Sequence, residues 1–442
     1  MTVPFRRRAL ALLAAGLMAL TGCSSAGAAP DPATASTGSG SITVWGWNPD
    51  QSSAPEWVQA FQKDHPEITV SYRFIQYSDY VNTLRLGLTS DSGPDVFGLQ
   101  VGAMSTQFAP LAADLTESLD ATLPGWKDKL LAADQLSVDG SQIGVPWMVT
   151  GAGTIEVNKT LLDSVGATVP TNLDQWRDTC ATLAAAGKKC LVQGAKDGWQ
   201  NIDVFQALAN QSSKGYFYQA MSKKQKFDSP EMVKAFEAWK TLVDAKVIQE
   251  GAFAQTAYPD AADAFRQGDA GMIAFGSWQN SDMTKQQLAA YTKTYGKDLT
   301  TTEFQVVAFP SVVNPSGTAS LVMAGGPDVG WAVSQKAKNP DAATVFVRWL
   351  AASETSQKRI AATMQQPALK SVPIDTSDVL TPAQKQLVEA QGPALEGMAG
   401  PRQIASADVQ AALADALAAV GTGTKTPQAA AADVQRAIDA AH

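Results

Sequence analysis

Between residues 42 and 99 three short alternating runs are separated by two helical patterns, and this order restricts the fold more than any other feature of the chain. Ile42-Thr43-Val44-Trp45 and Ile68-Thr69-Val70-Ser71-Tyr72-Arg73-Phe74 alternate with period two and are rich in β-formers, so each reads as a strand. Asp95-Val96-Phe97-Gly98-Leu99 reads as a third. Between the first two, Ser53-Ala54-Pro55-Glu56 has the form of a capping box, ahead of Trp57, Val58 and Phe61 on one helical face and a stop near His65-Pro66. Between the second and third, Tyr80, Leu84 and Leu88 are spaced by four and predict a helix that ends before Gly93-Pro94. A β-α-β-α-β order calls for parallel strands with helical crossovers, and it puts ligand loops beyond the carboxyl ends of those strands.

The rest of the chain continues in the same α/β idiom. Strands are expected at 153–158, at Gly271-Met272-Ile273-Ala274-Phe275 leading into Gly276-Ser277-Trp278, at 304–309 and at 330–333. Helices are expected at 173–186, 231–245, 261–267 and 341–350, with the turn-rich Asp197-Gly198-Trp199-Gln200-Asn201 between the first two. Two alanine-rich helices, 408–420 and 427–441, close the sequence, the second capped by Thr426-Pro427. At about 150 residues per domain, the 420 residues that follow the first 22 of 442 predict two or three domains.

The N-terminal end reads as an export signal. Arg6, Arg7 and Arg8 precede an apolar stretch over 9–20, which is shorter than the ~20 residues a membrane span needs. Leu20-Thr21-Gly22-Cys23 resembles the bacterial lipobox, which implies that residues 1–22 are a signal peptide and that Cys23 becomes a lipidated N-terminus; an ordinary signal peptide with a chance cysteine is the other reading. Residues 24–40 contain only Ser, Ala, Gly, Pro, Thr and Asp31, too little apolar surface to offset ordering, so 23–40 is expected to be a flexible tether. The protein would then sit outside the cell membrane, held to its outer face by lipid. Losing the signal removes three arginines and no acid, taking the formal charge from −8 to −11. An acidic chain with no later basic run is a poor partner for nucleic acid or anionic lipid. In an oxidising compartment Cys180 and Cys190 are predicted to pair; two buried free thiols are the alternative.

Catalytic signatures are scarce. The two histidines, His65 beside a proline and the terminal His442, have no neighbouring Cys or His at metal-ligand spacing, and no nucleophile elbow, P-loop or dinucleotide motif occurs. No cofactor or metal is called for, and only a distant carboxylate pair of the glycosidase kind survives as enzyme chemistry. Tryptophan placement is more informative. Trp57, Trp176, Trp239 and Trp349 fall on predicted helices and read as core, whereas Trp47, Trp147, Trp199 and Trp278 follow strand ends or sit in glycine-rich loops. A sugar ring needs flat aromatic surface for its C–H face and convergent polar groups for its hydroxyls. Asn48, Asp50, Gln76, Gln100, Asn201 and Arg402 are the candidates for the polar part.

Several segments in shared order then resemble the extracellular solute-binding proteins, family 1, of ABC importers, the group that includes maltodextrin-binding proteins. They are Phe61-Gln62-Lys63-Asp64-His65-Pro66-Glu67-Ile68-Thr69-Val70, Gly93-Pro94-Asp95-Val96, Gly144-Val145-Pro146-Trp147 with Val157-Asn158-Lys159-Thr160, Phe265-Arg266-Gln267-Gly268-Asp269-Ala270-Gly271-Met272 leading to Trp278, and Gly330-Trp331-Ala332-Val333-Ser334 leading to Lys338-Asn339-Pro340-Asp341. The resemblance implies a two-lobed, periplasmic-binding-protein-like α/β fold of type II, with a ligand cleft at the hinge and three interlobe crossings, near Trp147-Met148, Val306-Val307 and Gln365-Gln366. The lobes would comprise 41–147 with 307–365, and 148–306 with 366–442. It further implies a sugar stacked on Trp278 and on Trp47 or Trp147, with Arg402 and the Gly325-Gly326 turn nearby, and delivery by a monomer to the membrane-spanning subunits of a permease. Pro327-Asp328 stand where relatives often carry an aromatic, and Gln100 where they often carry an acid, so the resemblance does not name the sugar. Other polar solutes on the same fold (a polyamine, a polyol, a phosphorylated compound) and a secreted carbohydrate-active enzyme are the alternative expectations.

Overall fold

The computed structural model describes residues 38–441. The predicted signal segment, Cys23, nearly all of the tether and His442 lie outside the described residues. The strands are β1 (Gly40–Gly46), β2 (Ile68–Phe74), β3 (Val96–Leu99), a small hairpin of β4 (Ser137–Val138) and β5 (Ser141–Gln142), β6 (Val145–Ala152), β7 (Thr154–Asn158), β8 (Lys189–Val192), β9 (Ala270–Ile273), β10 (Phe304–Ala308), β11 (Ala324–Val333) and β12 (Gln366–Pro367).

Apart from the β4-β5 hairpin they form two separate sheets, each with its own helices. The larger runs β12-β6-β11-β3-β1-β2, with β1, β2 and β3 parallel and β6 and β11 antiparallel to their neighbours. The smaller runs β10-β7-β9-β8, with β8 and β9 parallel. Every residue of β3 and β6 is buried, as strands covered by helices on both faces require. Around the larger sheet the core closes on aromatic edges: Phe61 meets Phe346 and Trp349 at 4.8 and 5.4 Å, and Trp147 lies between Trp57 at 4.7 Å and Trp331 at 5.9 Å. In the second lobe the helices Gly198–Ser212, Pro230–Asp244 and Ala407–Gly421 pack together, and the Trp239 indole N–H donates to the Leu417 carbonyl at 2.8 Å. No helix among the described residues is long and apolar enough to cross a membrane.

Sheet membership moves the expected crossings. β6 belongs to the larger sheet as far as Ala152, so the chain changes sheets at Gly153 and not at Trp147-Met148. β10 lies wholly in the smaller sheet, which puts the return after Ala308 and not at Val306-Val307. The third falls beyond β12, because Ala368 and Leu369 still hydrogen-bond to the larger lobe. A local expectation also changes. Ser53 makes no capping bond with its side chain, and its hydroxyl turns instead to Asp50, whose Oδ1 accepts from Ser52 and Ser53 and so organises the start of the Ala54–Asp64 helix.

Cys180 on the Leu173–Ala185 helix and Cys190 on β8 are joined by a disulfide across ten residues of sequence. Closing that loop is worth about 2–3 kcal/mol by chain entropy. Chemical denaturation should therefore show a loss of this size in Cys180→Ser/Cys190→Ser, and alkylation without reductant should leave the mass of the parent unchanged. Addition of two alkyl groups would contradict the disulfide.

Candidate functional site

Both sheets point the carboxyl ends of their parallel strands into one cleft of about 740 Å³, within the usual range for small-molecule sites. From the larger sheet, β1 delivers Trp47 and Asn48, β2 delivers Gln76 and Tyr77, and β3 delivers Gln100. Trp47 stands edge-on to Tyr77 and Tyr80, at 5.4 and 4.7 Å between centroids. It can lie over β3 because residue 98 is glycine: a Cβ there would come within 2.9 Å of the indole.

From the smaller sheet, β8 leads to Asp197 and Trp199, and β9 leads through Gly276 to Trp278. Gly276 is needed for the same reason, since its Cβ would meet the Trp278 ring and the Gly151 carbonyl at 2.2 Å. Trp199, Tyr258 and Phe275 stack nearly parallel, with Tyr258 on Phe275 at 4.9 Å, and Trp278 crosses Trp199 at 70°. The Trp278 indole N–H donates to the Tyr258 hydroxyl at 3.1 Å, and that hydroxyl donates to Gln279 at 2.7 Å. An aromatic wall with fixed ring planes results.

Arg402 joins the two walls. Its Nε and Nη2 donate to the two oxygens of Asp203, each at 2.9 Å, and its Nη1 donates to Asp328 Oδ1 at 3.1 Å. Asp203 is on the Gly198–Ser212 helix and Asp328 on β11 of the larger sheet, so one guanidinium bridges both lobes. The same guanidinium lies 3.9 Å from the centroid of Trp278. Burial works against the charge, but the two carboxylates outweigh it and hold the Arg402 pKa above its ordinary value. Asp328 Oδ1 also accepts from Gln100 at 2.6 Å, and Gln100 in turn accepts from the Tyr77 hydroxyl at 2.8 Å. The backbone of Arg402 is seated on β11, donating to the Gly325 carbonyl at 3.1 Å, while its own carbonyl accepts from Gln206 at 2.7 Å.

A cleft between two α/β lobes, walled by strand-end loops from both, is the architecture of a receptor that closes on a solute. The sequence profile of the bacterial extracellular solute-binding proteins matches residues 45–357, well over half of the chain. The chain belongs to that family. Solved structures similar to this solute-binding protein include one described for xylan utilization by Caldanaerobius polysaccharolyticus, at 22% identity and a TM-score of 0.74, covering 90% of this chain and 99% of that one. The GacH receptor of Streptomyces glaucescens, solved unliganded and with acarbose, aligns at 21% identity and 0.68, covering 90% and 97%. Maltose-bound MalE3 of T. maritima aligns at 19% and 0.70, covering 90% and 99%. No curated protein matches the sequence.

Of the residues singled out in the sequence of this solute-binding protein, Trp47, Asn48, Gln76, Gln100, Trp199, Trp278 and Arg402 line the cleft. Five do not. Trp147 is 1% exposed and belongs to the core between Trp57 and Trp331, because β6 runs five residues past it before changing sheets. Asp50 is occupied by the Ser52-Ser53 turn. Asn201 is buried in the first turn of the Gly198–Ser212 helix, where the sequence predicts a turn-rich loop, and its amide donates to the Ala195 carbonyl at 2.8 Å without facing the cleft. Gly325 and Gly326 lie inside β11, Gly325 pairing with Gly151 and carrying the backbone of Arg402. Sequence reading missed Tyr77, Asp197, Asp203, Tyr258 and Gln365 as site residues, and it noted Asp328 only as a departure from relatives. Tyr77 could have been found, since it stands three residues past the end of β2, next to Gln76.

Beneath the second wall, Asp282 fixes the turn that carries Trp278. It accepts from Gln279 and Tyr291 at 2.5 Å each and from Arg266 at 2.8 Å. Glu156 on β7 is buried beside this group, and neither of its oxygens finds a hydrogen-bond partner among the described residues. Burial first, and the Asp282 charge second, push its pKa well above 4.5, although Arg266 pulls the other way. The native state therefore holds a proton that the unfolded chain releases above about pH 4.5, so this residue's contribution to stability falls as pH rises, by up to about 1.4 kcal/mol per unit.

Urea denaturation of Glu156→Gln and its parent at pH 5 and pH 8 should show the variant gaining on the parent by more than about 1 kcal/mol at the higher pH. An unchanged difference would mean that Glu156 is ionised in the fold. Arg402→Ala strands two carboxylates and should cost about 3–5 kcal/mol of unfolding free energy, with Arg402→Lys in between because an ammonium cannot pair side-on with Asp203. A loss below about 1 kcal/mol for the alanine variant would show that the bridge is not a structural element.

Proposed function

We propose that this solute-binding protein is the carbohydrate receptor of an ABC importer, held outside the cell membrane by lipid at Cys23, and that it delivers its sugar as a closed monomer to the membrane-spanning subunits of the permease. The observation that carries the reading is the aromatic arrangement: Trp278, Trp199 and Tyr258 face the cleft from one lobe and Trp47 and Tyr77 from the other. Sugar C–H faces stack on such rings, and the hydroxyl rim finds amides and charged groups in Asn48, Gln76, Gln365, Asp328 and Arg402. The three similar structures, one described for xylan utilization, one with acarbose and one with maltose bound, support the same class of solute. The family consists of receptors, and no step of covalent chemistry is assigned to this cleft.

Closure follows from where the contacts sit. A ligand shifts an open-to-closed balance only by the contacts it makes in one state and not the other, so groups from both lobes must reach it. Calorimetry against a panel of mono- and oligosaccharides should give saturable binding without product formation. For the best ligand, Trp278→Ala should weaken binding by about tenfold or more, roughly 1.4 kcal/mol. Unchanged affinity in that variant would place the sugar elsewhere, and released product would make the protein an enzyme.

A further inference from the structure

The charge balance of the cleft bears on which carbohydrate it takes. Among the residues lining it, Asp197, Asp328 and Arg402 are the only charged ones. Arg402 is committed to Asp203 by two parallel hydrogen bonds, and that buried pair is neutral as a unit. The charge of Asp328 is thus left over. Its Oδ1 already accepts from Gln100 and Arg402, whereas Oδ2 takes no hydrogen bond from the described protein groups, on a side chain that is 14% exposed. Asp197 has its Oδ2 held by the Ala257 amide, and it adds a second negative charge to the same cleft.

Resting on the carbohydrate reading above, we propose that this cleft selects a saccharide carrying a protonated amine, with Asp328 as the residue that selects it. Closing two lobes on a neutral sugar would remove water from a carboxylate without returning a counter-charge, which is unfavourable. An ammonium group facing Oδ2 supplies that charge and three donors. The ring of Trp47 reinforces the choice, because aromatic faces attract cations and this one, unlike that of Trp278, does not already carry the Arg402 guanidinium. An anionic sugar meets charge of its own sign and is rejected.

The test is titration calorimetry of the purified protein with matched sugars at pH 6. The panel comprises glucosamine and galactosamine with their β-1,4-linked disaccharides, each beside its N-acetylated form and its hydroxyl counterpart, and spermidine. The free amines should bind about tenfold or more tighter than their neutral partners, and the ratio should shrink as salt is raised from about 20 to 500 mM. In Asp328→Asn, which keeps an acceptor for Gln100 and Arg402, the ratio should fall to about threefold or less. Neutral sugars binding as tightly as the amines, or a ratio indifferent to salt, overturns the inference and leaves the carbohydrate receptor standing. Spermidine binding more tightly than any sugar overturns both, as does the absence of binding by any sugar. The salt series needs no variant and decides the matter even where Asp328→Asn does not fold.

Discussion

One buried guanidinium holds the site together. Arg402 is paired side-on with Asp203 of the smaller-sheet lobe, hydrogen-bonded to Asp328 of the larger-sheet lobe, and laid over the face of Trp278. Each contact alone is modest. A charge taken out of water is tolerated only where its partners are complete, so the three contacts lock one another's positions. The hydrogen-bonded chain then extends through Asp328 to Gln100 and Tyr77, and the ring contact extends through Trp278 to Tyr258 and Gln279. The contacts therefore run without a break from one side of the cleft to the other.

The placement of this bridge follows from the two sheets. Parallel strands with helical crossovers deliver their loops at one edge, and here two such edges face each other, joined by the chain connections that follow β6 and precede β11. Aromatic rings supply area at low entropic cost, and glycine at 98 and 276 lets two indoles approach the backbone. The segment bearing Arg402 hydrogen-bonds to β11 at Gly325, to the Gly198–Ser212 helix through Gln206, and to the Ala103 amide through Ile404. It is therefore a strap that reads the relative position of both lobes.

Much of this was legible in the sequence where period and turn chemistry act locally. The β-α-β-α-β start, the helix capped by Thr426 and the strand leading into Trp278 need only neighbours to be read. Trp47, Trp199 and Trp278 line the cleft, and each stands out in the sequence because a large ring after a strand end or in a glycine-rich turn has no local explanation. The failures are non-local. Trp147 has the same sequence signature, but β6 continues past it, a length set by pairing with β11 that the local pattern does not encode. Asp203 and Arg402 meet across 199 residues of sequence, and Tyr258 enters the wall from a turn that carries no strand signal. Asp50 and Asn201 have the right chemistry for a ligand and spend it locally, Asp50 on the turn ahead of a helix and Asn201, from the first turn of a helix, on the Ala195 carbonyl before it.

The account rests on a solute being gripped from both lobes at once around the Arg402 bridge. A crystal structure of the protein with its tightest-binding saccharide tests this most directly. It should show one ring face against Trp278 and hydrogen bonds to the same ligand from groups on both sheets, Asp328 or Gln100 on one side and Trp199 or Asp197 loop groups on the other. A saccharide held by one lobe alone, or bound away from Arg402 and Trp278, would contradict it.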